Sequence, residues 1–136
     1  MNSAKLFSTL VMLFTVGSAI AADWEIVKSN SETTIWIDRA SLRKEEKIVI
    51  VWMRQSFRSS QRLPDGVPYY AATSLTRTNC QERTNAAEYV AFYDPSFTNV
   101  LIHPKTQTQL AMRLPLEYDV VIPGTTAEAI MNFVCR

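Results

Sequence analysis

The sequence has few of the residues from which enzyme sites are built. Its only histidine, His103, precedes Pro104, and no HExxH motif accompanies it, so we predict no zinc site. The three glycines form neither a GxSxG elbow nor a phosphate-binding loop. The carboxylate pair Glu45-Glu46 lies in the charged stretch RKEEK, which is typical of a solvated hairpin tip. We therefore predict a protein that is not an enzyme and that needs no metal or cofactor.

Long apolar runs are absent except at the N-terminus. There Lys5 is followed by an apolar run over residues 6–16 and by the small-residue triplet Ala19-Ile20-Ala21. This order predicts a signal peptide over residues 1–21, cleaved after Ala21 or Ala22. The alternative is a membrane anchor, but the run is shorter than the roughly 20 residues that a spanning helix needs. The leader contains no cysteine to carry a lipid.

The mature chain lacks an excess of charge of either sign. Cleavage removes Lys5 and leaves 13 of the 14 basic residues against 13 acidic ones. Such a balance gives no general attraction to nucleic acid or to a membrane surface, so a charged partner must meet a local patch. Residues 22–136 are enough for one domain with a core and too few for two.

Only two cysteines are present, Cys80 and Cys135, and both remain after cleavage. An oxidising compartment favours an intramolecular Cys80–Cys135 disulfide. A pair of free thiols or an intermolecular bridge is the alternative. A CxxC redox site is excluded because the two residues are 55 positions apart.

Alternating apolar and polar residues dominate the middle of the chain and predict β-strands. Residues 47–57, KIVIVWMRQSF, give the strongest signal, and residues 58–68 with Pro-Asp-Gly predict the following turn. The other predicted strands are 24–27, 33–37, 69–80, 88–93, 99–102, 108–113 and 116–122. Short strands with turn signals between them indicate an antiparallel sheet of about six strands, and hence an α+β fold with the one predicted helix.

That helix lies in the last residues. Thr125-Thr126-Ala127-Glu128 fits a capping box, in which the threonine hydroxyl and the glutamate carboxylate accept from backbone amides. An apolar stripe follows at helical spacing: Ala127, Ile130, Met131 and Val134. About ten residues are too few for an isolated helix, so we expect it to dock on one face of the sheet, tied there by Cys135.

Several stretches in order resemble one family. They are Trp24-Glu25-Ile26-Val27, the segment 35–42 (IWIDRASL), the segment 48–52 (IVIVW), Cys80, and Pro123-Gly124-Thr125 leading to Val134-Cys135. Together they form an opening tryptophan strand, an aromatic-x-Asp-x-x-Ser turn, a long strand ending in tryptophan, a middle cysteine and a capped helix. In this order the chain resembles the surface-adhesin protein E family of small exported bacterial proteins.

The resemblance implies an antiparallel sheet with the C-terminal helix tied to it by a disulfide. It also implies periplasmic or surface residence and binding to host matrix proteins. The adhesin that names the family looks like an outer-membrane lipoprotein, whereas this leader has no lipidation cysteine. The expected location is therefore the periplasm or the medium, with surface display left open.

Three features are candidates for binding. Arg54, Arg58 and Arg62 surround a predicted basic loop that could meet an acidic protein, a sulfated glycan or lipid headgroups; the alternative is a solvated loop without a specific role. The second candidate is a group of aromatic residues, some of which must lie in the core: Tyr69, Tyr70, Tyr89, Phe92, Tyr93 and Phe97. The third is a metal or haem contact at His103 with a nearby tyrosine.

Taken together, these observations predict an exported, non-catalytic binding protein with a protein partner, and a homodimer stays open. The alternative is a soluble periplasmic accessory protein that chaperones or neutralises an exported partner. No nucleic acid and no membrane-spanning segment is expected in the mature chain.

Overall fold

The computed structural model describes residues 21–94, 100–101 and 116–136, except for the side chains of residues 100 and 101. The predicted strand 108–113, His103, Phe97 and nearly all of the predicted leader lie outside the described residues. The elements in chain order are β1 (Trp24–Ser29), β2 (Thr33–Asp38), a 3₁₀ turn (Arg39–Ser41), β3 (Arg43–Glu45), β4 (Ile48–Arg62), β5 (Pro68–Asn79), β6 (Thr84–Tyr93), β7 (Val100–Leu101), β8 (Asp119–Val120) and α1 (Thr126–Val134).

The strands form one antiparallel sheet in the order β1-β2-β4-β5-β6-β7. Two short strands join it at the sides, β3 against β4 and β8 against β6. The predicted antiparallel sheet with one C-terminal helix is thereby confirmed.

The core lies between α1 and one face of the sheet. Alternate residues of β2 and β4 point to this face and pack with the apolar stripe of the helix: Ile35, Ile37, Val49, Val51, Met53, Ile130 and Val134. Disulfide formation between Cys80 and Cys135 is also confirmed, with their Cα atoms 5.7 Å apart. The disulfide joins the end of β5 to the end of α1.

The helix begins with the predicted cap, with one difference. Thr125 Oγ1 accepts from the amide of Glu128 at 3.4 Å, but Glu128 Oε2 accepts from the amide of Gly124 at 2.7 Å, one residue before the N-cap. The N-cap amide itself donates to the carbonyl of Ile122 at 3.4 Å. Because that amide already has a partner in the turn, the carboxylate reaches one residue further.

The aromatic-x-Asp-x-x-Ser motif forms the turn after β2. Asp38 Oδ1 accepts from the amides of Asp23 at 2.8 Å and Ala40 at 3.1 Å. Ser41 Oγ donates to the carbonyl of Asp38 at 2.8 Å and accepts from the amide of Trp52 at 2.9 Å. These four bonds fix the start of β1 and the middle of β4 to the same turn.

Several element boundaries differ from the sequence-based expectation. β6 begins at Thr84 and not at residue 88, and the predicted strand 116–122 is reduced to β8 (Asp119–Val120). β4 continues to Arg62, so residues 58–62 are strand and the predicted loop shrinks to the turn at residues 63–67. The polar side chains of this extension are mostly exposed, and the register shifts between Ser56 and Gln61. The backbone ladder with β5 therefore continues where the apolar pattern has ended. β3 was missed because its three residues are all charged and exposed.

Candidate binding surface

All three tryptophans lie on the face of the sheet opposite α1. Trp36 and Trp52 alternate with the isoleucines, valines and methionine that pack on the helix, so their side chains point away from it. Residues directly opposite each other in a ladder share a face. The register pairs Ile26 with Trp36, Trp52 with Leu75, and Leu75 with Tyr89. We call this surface the tryptophan face: Trp24, Ile26, Trp36, Trp52, Leu75 and Tyr89.

The tryptophan face is partly open to solvent. Ile26 is 57% exposed, and the other five residues are half-buried. The water-facing side of an antiparallel sheet usually alternates to polar residues. Aromatic residues instead occupy these positions here, which is the composition of the buried centre of protein–protein interfaces.

The rings of this face are held by contacts with neighbouring side chains. Trp52 and Tyr89 meet edge to face, with centroids 5.7 Å apart and planes at 75°. The guanidinium carbon of Arg54 lies 4.5 Å from the ring centroid of Trp24, within the range of a cation–π contact. These contacts restrain the rings of Trp24, Trp52 and Tyr89 at the surface.

A charged group borders the tryptophan face beside Leu75. Arg77 Nε donates to Glu88 at 2.7 Å, and Arg77 Nη1 lies 3.6 Å from Glu45. The hydrogen bond to Glu88 raises the pKa of Arg77 above its ordinary value, although partial burial acts in the opposite direction. The guanidinium therefore stays charged and fixes one edge of the face.

The three predicted basic residues do not form one loop. Arg54 lies half-buried within the tryptophan face, against Trp24, whereas Arg58 and Arg62 are exposed near the far end of β4. Arg62 Nη1 donates to the carbonyl of Gly66 at 3.0 Å and so supports the following turn. Arg58 and Arg62 remain candidates for a basic contact, separate from Arg54.

The predicted aromatic group divides between the two faces. Tyr69 contacts Phe57 and Phe92 edge to face, at centroid distances of 5.8 and 4.8 Å, on the side of α1. Burial raises the pKa of the Tyr69 phenol above its ordinary value of 10.0. Tyr89 lies on the tryptophan face instead, and Tyr70 and Tyr93 are half-buried.

A groove of about 340 Å³ lies between α1 and the outer half of the sheet. Its floor carries small side chains from β5, Ala72, Ser74 and Thr76, and its ends carry Phe92 and Ile130. No Asp, Glu, His, Lys or Arg is among the described lining residues, and Tyr69 is the one titratable side chain there.

The predicted carboxylate pair lies at a hairpin tip. Glu45 and Glu46 are both exposed at the turn between β3 and β4, and Glu45 accepts from Arg43 at 3.2 Å. Over residues 21–94 and 116–136, no three His, Cys, Asp or Glu side chains come together as a metal site would require. His103 is outside the described ranges.

In the sequence the tryptophans were marks of a family resemblance, and the surface that they form was not predicted. The signal was present, since each of Trp36 and Trp52 alternates with apolar residues in its strand. What the sequence did not indicate is which side of the sheet the helix would cover.

Comparison with known families agrees with this architecture. A family model described as surface-adhesin protein E matches residues 24–136, nearly all of the chain that follows the predicted leader. The protein therefore belongs to the surface-adhesin protein E family, and the resemblance found in the sequence is confirmed. Membership indicates an adhesin-like exported or surface protein. No curated protein matches the chain. In the part of the chain that the structure describes, no helix has both the length and the apolar character needed to cross a bilayer.

Proposed function

We propose that this protein is an exported, non-catalytic binding protein that meets a protein partner through the tryptophan face. The partner is a host matrix protein or another protein of the envelope. Family membership supports the adhesin-like role and, with it, a role without catalysis.

The observation that carries the proposal is the half-exposed aromatic surface opposite α1. Tryptophan, tyrosine and arginine are the residues that most often contribute the binding energy of protein interfaces. Trp36, Trp52, Tyr89 and Arg54 share this face. The contacts of Trp52 with Tyr89 and of Arg54 with Trp24 hold those side chains in place before any partner arrives. A prearranged surface loses less side-chain entropy on binding.

A soluble periplasmic protein that chaperones or neutralises an exported partner is the second candidate. It is favoured by the absence of cysteine from residues 1–22, since no lipid can be attached there. Protease treatment of intact cells separates the two functions. Cleavage of the protein on intact cells supports the adhesin, whereas protection until the outer membrane is permeabilised refutes surface display.

Binding is tested with purified residues 22–136 against immobilised matrix proteins and, in parallel, against envelope extract. We expect Ile26→Ser and Trp36→Ala each to weaken binding about tenfold. Val67→Thr is the matched control, because Val67 is also exposed and apolar, at 38%, but lies in the turn between β4 and β5. Equal binding by all variants with unchanged melting temperature would refute the tryptophan face as the contact surface.

A further inference from the structure

Exposed apolar side chains concentrate at residues 118–122, around β8. Val120 is 72% exposed, Ile122 63% and Tyr118 39%, whereas Val121 between them is 3% exposed. A strand at the rim of a sheet with apolar side chains turned to water is a site at which other strands pair.

The backbone N–H and C=O groups of Val120 also point away from the sheet. The amide of Val121 donates to the carbonyl of Arg83 at 2.8 Å, so the N–H of Val121 faces β6. Successive residues of a strand direct their backbone groups to opposite edges, so the N–H and C=O of Val120 face outwards. Among the described residues, β8 pairs with β6 alone.

The exposed side chains continue the tryptophan face. Val120 is opposite Thr84, and the next residue of β6, Asn85, lines the groove beside α1. Thr84 and Val120 therefore point to the other side, that of Trp52 and Tyr89.

Two carboxylates lie in β8 and just before it. Glu117 and Asp119 are exposed on either side of Tyr118, and within the described chain neither forms an ion pair. A strand laid along β8 gains from basic side chains opposite these carboxylates.

We propose that β8 with its flanking residues Tyr118 and Ile122 is a docking edge for an extended segment of the partner protein. That segment bonds to the outward backbone groups of Val120, covers Val120 and Ile122 with apolar side chains at alternate positions, and places basic residues against Glu117 and Asp119. This inference rests on the proposed function, because it names how a protein partner engages one end of the same surface.

The opposite rim of the sheet is less suited to such pairing. β1 has an irregular register between Ile26 and Lys28, and Lys28 Nζ donates to the carbonyl of Gly124 at 3.4 Å. Bulges and lysines are features that protect edge strands from pairing.

The test uses a fluorescein-labelled peptide in which lysine alternates with valine, titrated into purified residues 22–136 and followed by anisotropy. Val120→Thr with Ile122→Thr keeps β-branched residues but removes apolar surface, and we expect about tenfold weaker binding. Val67→Thr is the control and retains full affinity. A peptide N-methylated at the alternate amides that face β8 loses binding, because its side chains remain but its ladder bonds cannot form. Hydrogen exchange shows new protection of the Val120 amide.

Equal binding of the methylated peptide, or protection at residues 24–29 in place of 118–122, overturns the proposal. So does self-association of the unliganded protein that disappears in the Val120→Thr, Ile122→Thr variant, since a second copy then occupies the edge. If the peptide does not bind while matrix or envelope proteins still do, the docking edge is refuted and the proposed function stands.

Discussion

The C-terminal disulfide allows a quantitative prediction. Replacing both cysteines, Cys80→Ser with Cys135→Ser, removes the covalent link between β5 and α1 and leaves no free thiol. The link closes a loop with a sequence separation of 55. On the chain-entropy model, a loop of that length contributes about 4 kcal/mol to the free energy of unfolding. A small domain has only about 5–15 kcal/mol in total, so we expect the melting temperature to fall by roughly 15 °C.

The loss should appear first in the helix. α1 has nine residues, fewer than the roughly 12–15 at which an isolated helix becomes marginal in water. Without the disulfide it is held mainly by three buried side chains, Ile130, Met131 and Val134. Amides of residues 126–134 should therefore exchange with solvent faster than those of β4, whose ladders with β2 and β5 remain.

Calorimetry and hydrogen exchange on the double variant provide the measurement. Wild-type protein treated with a reductant should match the variant, and the reductant should not change the variant itself. If the melting temperature falls by less than about 4 °C, or if the amides of α1 and β4 exchange at equal rates, the disulfide does not hold the helix.

Other predictions concern single contacts. Thr125→Ala removes the N-cap acceptor and should cost about 1 kcal/mol in urea unfolding, whereas Thr125→Ser should cost little. Asp38→Ala leaves the amides of Asp23 and Ala40 without their acceptor and should cost about 2 kcal/mol; a loss equal to that of an exposed Asp65→Ala control would contradict this role. Because burial raises the pKa of Tyr69, the unfolded chain loses its phenol proton first, so stability should hold below pH 10.0 and fall as the pH rises beyond it. Tyr69→Phe should remove that fall, and an unchanged fall would refute the assignment. Arg58→Ser with Arg62→Ser should weaken partner binding at low salt if these residues form the basic contact; unchanged binding excludes them.

The C-terminal half of the architecture was predictable because its signals are local. The capping sequence, the stripe of Ile130, Met131 and Val134, and the pairing of the only two cysteines each depend on neighbouring residues or on simple counting. A helix this short is not stable unless it docks. Docking on the sheet, burial of the apolar stripe and attachment by the disulfide could therefore be predicted together.

The sheet was predictable in class but not in the reach of its strands. Apolar alternation shows where a strand meets the core, and in β4 it ends near Phe57. The strand continues to Arg62 through backbone bonds to β5, which any side chain permits. The same limit applies to β3, whose charged residues pair with β4 without an apolar pattern.

The candidate surface depends on which face of the sheet the helix covers. The sequence of a single strand does not indicate which face that is. Apolar residues occupy both sides of β4, a pattern typical of a strand that is covered on each face. That interpretation holds at Ile50, which is fully buried, but Trp52 two residues later is only half-buried. The difference arises from distant elements, so only the assembled sheet reveals it.

The dimensions of the helix and the sheet explain why apolar surface is left over. Nine helical residues extend about 14 Å, whereas six strands span roughly 24 Å across a sheet. One such helix covers β1, β2 and part of β4 and leaves the groove beside β5 and β6, while the other face has no helix among the described residues. Exposed apolar residues at Ile26 and Val120 carry a risk of aggregation that polar substitutions would remove at little cost to folding. The partner proposed above would cover both residues, which lie at the two ends of one aromatic face.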